Sequence, residues 1–238
     1  MAKAVTQIPP FGTALRKANV SVIAEVKRAS PSKGSINPEL SVSDQVSAYE
    51  KGGAAAISIV TEPTRFSGSN DDLVAARAAT HLPLLKKDFH VDPVQIMEAK
   101  SIGASAALVI VRAVPPTRLR ELLDVGRAID IEILVEIRDE RELDLALAFG
   151  ANLIGVNNRD LETLAIDPET APRLLPLIPR DIVAIAESGM KTAADVKRVA
   201  KAGADSVLIG SQLSASANPE AAVRSLSGVE RSEGARKG

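Results

Sequence analysis

Cysteine is absent from this 238-residue chain. That removes disulfides, thiolate nucleophiles and Cys-based metal sites at once. Histidine is almost absent as well, with only His81 and His90, too few for a multi-His metal site. Tryptophan is missing and aromatic residues make up 2%, so any core has to be built from aliphatic side chains. Neither sign of charge dominates: 29 Lys and Arg stand against 30 Asp and Glu, for a formal net charge of −1. Such a balance gives no basic footprint for nucleic acid and none for an anionic membrane. No apolar run approaches the roughly 18 residues that suggest a membrane-spanning helix. No signal-peptide core is visible either, so the expectation is a soluble, cytoplasmic protein. The G-x-G-x-x-G dinucleotide fingerprint is also missing.

What the chain does have is a rhythm. Hydrophobic residues are 45% of the total, enough for one large domain or two small ones. Strand-like apolar runs fall at about 20–27, 54–61, 83–89, 106–112, 131–137, 153–158, 182–188 and 206–210. Helix-start signals stand between them: Ser41–Asp44, Asn70–Asp72, Asp92–Pro93, Pro115–Thr117, Asp139–Glu140, Asp167–Glu169, Thr192 and Asn218–Glu220. Gly53–Ala54, Gly103–Ala104, Gly150–Ala151 and Gly203–Ala204 form a small internal repeat. Each joins a helix end to a strand start, and Gly suits the left-handed position after a helix. Eight strands alternating with helices over this length predict an α/β fold, a (β/α)8 TIM barrel of parallel strands. An open doubly wound sheet is the weaker alternative. The whole of 1–238 reads as one barrel domain. Residues 1–19 form a short helical extension, containing Pro9-Pro10-Phe11 and a helical stretch at 13–17, and residues 228–238 a frayed tail.

In such barrels, chemistry sits at the C-terminal strand ends. Polar residues interrupt the runs there: Glu25 and Lys27; Lys86, Lys87 and Asp88; Arg112; Glu136; Asn157, Asn158 and Arg159; Glu187 and Ser188; Gly210 and Ser211. At the opposite ends only Glu132 stands out as a charge near a strand start. Glu25 and Lys27 are two apart and share one strand face; a structural salt bridge would read the same way. Several convergent buried charges of both signs are costly to desolvate, so the bias toward one end is the functional signal. The turns Ala186–Gly189 and Leu208–Ser211 have the composition of phosphate cradles, in which Gly lets the backbone approach an anion; plain Gly turns are the alternative. Strand parity puts Leu85, Lys87 and Phe89 on one face, and Leu84, Lys86 and Asp88 on the other. Lys86 is expected to pass the helix layer and hold its ammonium in water.

These motifs resemble indole-3-glycerol phosphate synthase. The resemblance is carried by Ile23-Ala24-Glu25-Val26-Lys27-Arg28-Ala29-Ser30-Pro31-Ser32, Thr61-Glu62 with Phe66, Gly68 and Ser69, and Lys87-Asp88-Phe89. It continues through Leu134-Val135-Glu136, the run Gly155 to Leu161, Ala186-Glu187-Ser188-Gly189 and Ile209-Gly210, in order from about residue 11 to 225. It implies closure of the indole ring of 1-(2-carboxyphenylamino)-1-deoxyribulose 5-phosphate, with release of CO2 and water and with no metal or organic cofactor. By motif, Lys87 resembles the general acid for ring closure. Glu136 resembles a general base, and Lys27 the acid for dehydration. Glu25 and Asn157 resemble orienting partners. Ser188, Gly189, Gly210 and Ser211 resemble phosphate binders, and Leu208 a further substrate-binding residue. Arg159, Phe89 and Leu108 resemble the surroundings of the anthranilate ring, and Ser30 is placed to reach the substrate.

The implied partner is a small phosphorylated molecule, with no nucleic acid and no membrane, and the chain is expected as a monomer or weak homo-oligomer. Segment 28–36, with Ser30-Pro31-Ser32-Lys33-Gly34, reads as a mobile lid over the mouth. The chain departs from the family pattern in three places: about 20 residues precede the first strand where a longer extension is usual, His90 replaces an expected aliphatic residue, and Gln212-Leu213-Ser214 ends in Ser where an aliphatic residue or Met is common. Three rivals remain open at this point. Phosphoribosylanthranilate isomerase depends on a cysteine base that this chain lacks. A Schiff-base aldolase would use Lys27 or Lys87 as a nucleophile. A non-catalytic or altered-specificity phosphosugar-binding barrel would keep the fold alone.

Overall fold

The computed structural model describes residues 10–232 and 234–236. Pro9 and the rest of 1–9 lie outside the described residues, as do 233, 237 and 238. Among the described residues, eight parallel strands close into a barrel. They are β1 (Ser21–Val26), β2 (Ala56–Val60), β3 (Leu84–Lys87), β4 (Ala106–Ile110), β5 (Glu132–Ile137), β6 (Leu153–Asn157), β7 (Val183–Glu187) and β8 (Ser206–Ile209). β1 pairs with β2 on one side and β8 on the other, which leaves no free edge. The fold is the expected (β/α)8 barrel, and every expected strand is present.

Most of the helices begin at a side-chain cap. Besides the single turns Pro63–Phe66 and Ser211–Ser214, they are in chain order α1 (Phe11–Leu15), α2 (Val42–Lys51), α3 (Asn70–Ala79), α4 (Pro93–Ser101), α5 (Pro116–Ala128), α6 (Glu140–Ala148), α7 (Thr170–Leu174), α8 (Ala193–Lys201) and α9 (Pro219–Arg224). Ser41, Asp92, Asp139, Thr192 and Asn218 each accept a backbone N–H of the first turn. For α3 the cap is Ser69, one residue before the Asn70–Asp72 signal, and Asp72 completes a capping box with it. Asp167–Glu169 precedes only a short helix, which passes into a 3-10 turn at Leu175–Leu177. Pro172, Pro176 and Pro179 crowd that segment and leave little room for a regular helix. The glycines of the repeat adopt left-handed backbone, with φ of 94° at Gly53, 99° at Gly103, 73° at Gly150 and 104° at Gly203.

Strand parity divides the core into two layers. Ile23, Leu85, Leu108, Leu134, Leu153, Ile185 and Leu208 fill the barrel interior together with the small Ala56 and Ala106. The alternate residues, such as Val22, Ile57, Leu84, Val109, Val135 and Val207, face the helices. The N-terminal end of the interior is plugged. Phe11 and Leu15 of α1 are fully buried and belong to the interior layer. Glu132 accepts the backbone N–H groups of Phe11 and Gly12, the latter at 3.0 Å. A carboxylate at a helix start satisfies donors that have no partner inside the helix. That accounts for the charge at the start of β5.

The described part of the tail is docked, which corrects the expectation of a frayed end. Val20 donates to the Val229 carbonyl at 2.8 Å, and Asn19 and Glu230 form an antiparallel bridge. Arg236 is buried, and its guanidinium meets Asp205 at 2.7 Å; Arg231 pairs with the other oxygen. Asp205 is itself fully buried and accepts the Ala184 N–H at 2.8 Å. A buried carboxylate needs partners, and the tail supplies two. Replacing Asp205 with Ala should therefore lower stability by about 3–5 kcal/mol, the usual effect of removing one member of a buried ion pair. Urea unfolding followed by circular dichroism measures it, and a loss under about 1 kcal/mol, the range of an exposed pair, would contradict this account.

Candidate active site

At the C-terminal mouth the strands surround a cavity of about 610 Å³. All the residues singled out for the site line it: Glu25, Lys27, Ser30, Lys87, Phe89, Leu108, Glu136, Asn157, Arg159, Ser188, Gly189, Leu208, Gly210 and Ser211. They come from β1, β3, β4, β5, β6, β7 and β8 and the loops that follow those strands. The closed barrel is what brings together positions nearly 190 residues apart.

The polar floor is a cluster of two ammonium groups and three carboxyls. Lys27 Nζ lies 2.6 Å from Glu25 Oε1. Lys87 Nζ lies 2.7 Å from Glu187 Oε2 and 3.5 Å from Glu136 Oε2. Asn157 donates to the other Glu136 oxygen at 2.9 Å, and its own oxygen accepts the Arg159 N–H at 2.9 Å. In the sequence Glu187 is visible only as a charge at a strand end. The register shows why it belongs: Glu187 is opposite Asn157 on β6 and Leu208 on β8, both interior positions.

The charges tune one another. Burial works against the Lys87 ammonium, yet Glu187, Glu136 and Glu25 outweigh it and hold the pKa above the ordinary lysine value. Burial also pushes the Glu187 carboxyl up to about 7, with Glu136 and Glu25 adding to the effect and Lys87 opposing it. Glu25 behaves oppositely. Burial alone would raise it, but Lys27 and Lys87 together keep it below the ordinary carboxylate value. The cluster thus holds Lys87 charged and takes up a proton near neutrality.

Two glycines make room for these carboxyls. A Cβ on Gly155 would fall 2.1 Å from Glu187 Oε1, and one on Gly210 would fall 2.0 Å from Glu25 Oε1 and 3.0 Å from Lys27 Nζ. The turn after β7 places Ser188 and Gly189 in left-handed backbone, at φ 64° and 88°. Asn158 braces it by donating to the Ser188 carbonyl at 2.9 Å. After β8, Gly210 leads into a short helical turn, Ser211–Ser214. Lys33 and Lys191 add positive charge to the rim.

Lys86 corrects one expectation. Its side chain does point to the helix layer, but it is buried rather than in water. Its ammonium meets Glu98 of α4 at 2.7 Å, and Glu98 is the half-exposed partner. His90 is buried beside this pair, with Nδ1 at 2.6 Å from the Leu108 carbonyl oxygen. A carbonyl only accepts, so Nδ1 carries the proton. Burial first and Lys86 second push the His90 pKa down to about 4, so the ring is neutral. Segment 28–36 contains an antiparallel hairpin, Ala29–Ser30 with Gly34–Ser35. Its base is held by Arg28, whose guanidinium binds both oxygens of Asp72 at 2.6 and 2.9 Å.

Three comparisons bear on this arrangement. A family model described as indole-3-glycerol phosphate synthase matches residues 2–226. An indole-3-glycerol phosphate synthase of Mycolicibacterium gilvum is 48% identical over 213 residues, covering 90% of this chain and 78% of that protein. An indole-3-glycerol phosphate synthase 2 of Streptomyces coelicolor is 43% identical over 228 residues, covering 96% and 88%. Among solved structures, a thiamine phosphate pyrophosphorylase from Pyrococcus furiosus superposes with a TM-score of 0.66 at 16% identity, covering 89% of this chain and 95% of that one. That likeness concerns the fold alone.

Two outcomes follow from the packing and charge of the site. Gly210→Ala should fold yet displace the Glu25–Lys27 pair; a crystal structure of the variant with that pair unmoved would refute the steric argument. Glu187 sets a pH dependence. A carboxyl whose folded pKa is raised contributes most stability below its unfolded value and loses it as pH climbs through the folded one. Between pH 4.5 and about 7, the wild type should therefore lose stability relative to Glu187→Gln. Urea midpoints of both proteins at the two ends of that window test the sign.

Proposed function

The chain belongs to the indole-3-glycerol phosphate synthase family, and from that membership we propose how its own residues divide the work of a carboxy-lyase. It is an enzyme of tryptophan biosynthesis that acts on 1-(2-carboxyphenylamino)-1-deoxyribulose 5-phosphate. The observation that carries the assignment is the position of Lys87, between Glu136 and Glu187 on the floor of the cavity.

Ring closure joins the aromatic carbon that bears the carboxylate to the ketone carbon. The ketone oxygen becomes an alkoxide, and Lys87 protonates it. An alkoxide is far more basic than an amine, so the transfer runs downhill even from an ammonium held above its usual pKa. The carboxylate then leaves as CO2, and its bonding pair restores the aromatic ring. Lys27 protonates the new hydroxyl so that it departs as water, and Glu136 removes the proton that completes the indole. Two protons are given and one is taken, which balances loss of a carboxylate as neutral CO2. Glu25 orients Lys27, and Asn157 orients Glu136. Glu187 joins them as the ion partner that keeps Lys87 charged.

The substrate's phosphate is assigned to the turns of Ser188–Gly189 and Gly210–Ser211, with Leu208 beside them. Its aromatic end is assigned to Phe89, Leu108 and Arg159, under a lid that carries Ser30. An aldolase that forms a Schiff base would need a neutral lysine, and the carboxylates around Lys87 favour the opposite state.

Indole fluorescence on incubation with the carboxyphenylamino-deoxyribulose phosphate tests the reaction, and no signal from folded wild-type protein would refute it. Lys87→Ala should fold, bind product and lose turnover by at least ~100-fold, the usual scale of general acid–base catalysis. Lys86→Ala should keep turnover within several-fold, because its charge lies behind the strand. The reverse pattern would remove Lys87 from its role.

A further inference from the structure

We infer that the Ser214 hydroxyl is a positioning residue for the Glu25–Lys27 pair, set by the helical turn whose first residue lies at the phosphate end of the site. The inference rests on the roles proposed above. Backbone pairing between β1 and β8 ends at Ala24 and Ile209. Glu25, Val26 and Lys27 lie beyond it, and so beyond the ladder that would fix their backbone on that side.

The Ser214 hydroxyl takes over from the ladder. It donates to the Glu25 carbonyl at 3.0 Å and accepts the Lys27 N–H at 3.1 Å. One hydroxyl thus holds the backbone of both charged residues, in the donor and acceptor roles of a paired strand. Ser214 is fully buried, so water does not compete for these bonds. The chain's single tyrosine, Tyr49 of α2, donates to the same Glu25 carbonyl at 3.1 Å. Burial pushes its phenol above the ordinary range, so it remains a donor.

The turn itself is held from two sides. Gln45 of α2 donates to the Leu213 carbonyl at 3.2 Å, and Asn37, at the base of the lid, donates to the Ser214 carbonyl at 3.3 Å. Ser211 at one end of the turn lines the cavity, and Ser214 at the other end aligns the acid. Neither Ser214 nor Tyr49 lines the cavity, so neither is a catalytic residue. A Ser here is this chain's departure from the aliphatic residue or Met expected at that place, and an aliphatic side chain could make neither hydrogen bond.

Ser214→Ala and Tyr49→Phe each remove only a hydroxyl. A backbone released at Lys27 misplaces a proton donor, and a misplacement of about 1 Å costs up to about 100-fold in rate. Ser214→Ala should lower kcat by about 10- to 100-fold, with KM and the affinity for indole-3-glycerol phosphate within about threefold of wild type. Tyr49→Phe should lower kcat less, because the Lys27 N–H keeps its partner. A merely structural role would lower the unfolding midpoint and leave kcat of the folded fraction unchanged, which would overturn the inference. So would a loss expressed in KM, or a Ser214→Ala enzyme within threefold of wild type in kcat. Inactive wild-type protein would instead refute the reaction assigned above.

Discussion

The mouth of this barrel depends on a balance between two partly buried ammonium groups and three buried carboxyls. Each charge there would be costly alone. Together they are tolerable, because Lys87 is shared between Glu136 and Glu187 and Lys27 is held by Glu25. The balance fixes protonation as well as position. It keeps Lys87 charged and leaves Glu187 near its titration point. It also involves the backbone, since a Cβ at Gly155 or Gly210 would push the Glu187 or Glu25 carboxyl from its place.

A cluster of this kind needs a frame that does not move. The barrel supplies one because its two ends do different jobs. At the N-terminal end the interior is sealed by Phe11, Leu15 and the Glu132 carboxylate that holds the start of α1. The tail adds Arg231 and Arg236 to Asp205 at the start of β8. At the C-terminal end the interior layer opens, and the same strand parity that puts Ile23, Leu85 and Leu134 in the core puts Glu25, Lys87 and Glu136 two residues further on.

Much of this was legible in the sequence because it follows from short-range rules. Alternation in β3 separates Lys87 from Lys86, and the structure keeps that separation. The Gly-Ala repeat marks the left-handed helix ends at Gly53, Gly103, Gly150 and Gly203. What was not legible depends on partners distant in sequence. The pairing of Lys87 with Glu187, 100 residues away, follows only once the barrel closes. Lys86 was expected in water because its stem is long enough to reach it; Glu98 on α4 keeps it inside instead. The tail reads as polar and loose, and nothing local reveals that Asp205 lies buried and in need of cations. Ser214 could be seen as unusual, but its bonds to β1 could not be read from the sequence.

Buried charge by itself does not separate structure from function here, since Asp205 and Glu187 are equally buried. Hydrogen-bond satisfaction distinguishes these two. Both Asp205 oxygens are engaged, by two guanidinium groups and a backbone N–H, so the group has nothing further to offer. At the mouth, Glu25 Oε2, Glu187 Oε1 and the Ser30 hydroxyl have no partner among the described residues. An unpartnered buried oxygen is expensive to maintain. Asp205 is thus fully partnered within the barrel frame, whereas Glu25 and Glu187 at the mouth each keep one oxygen without a partner.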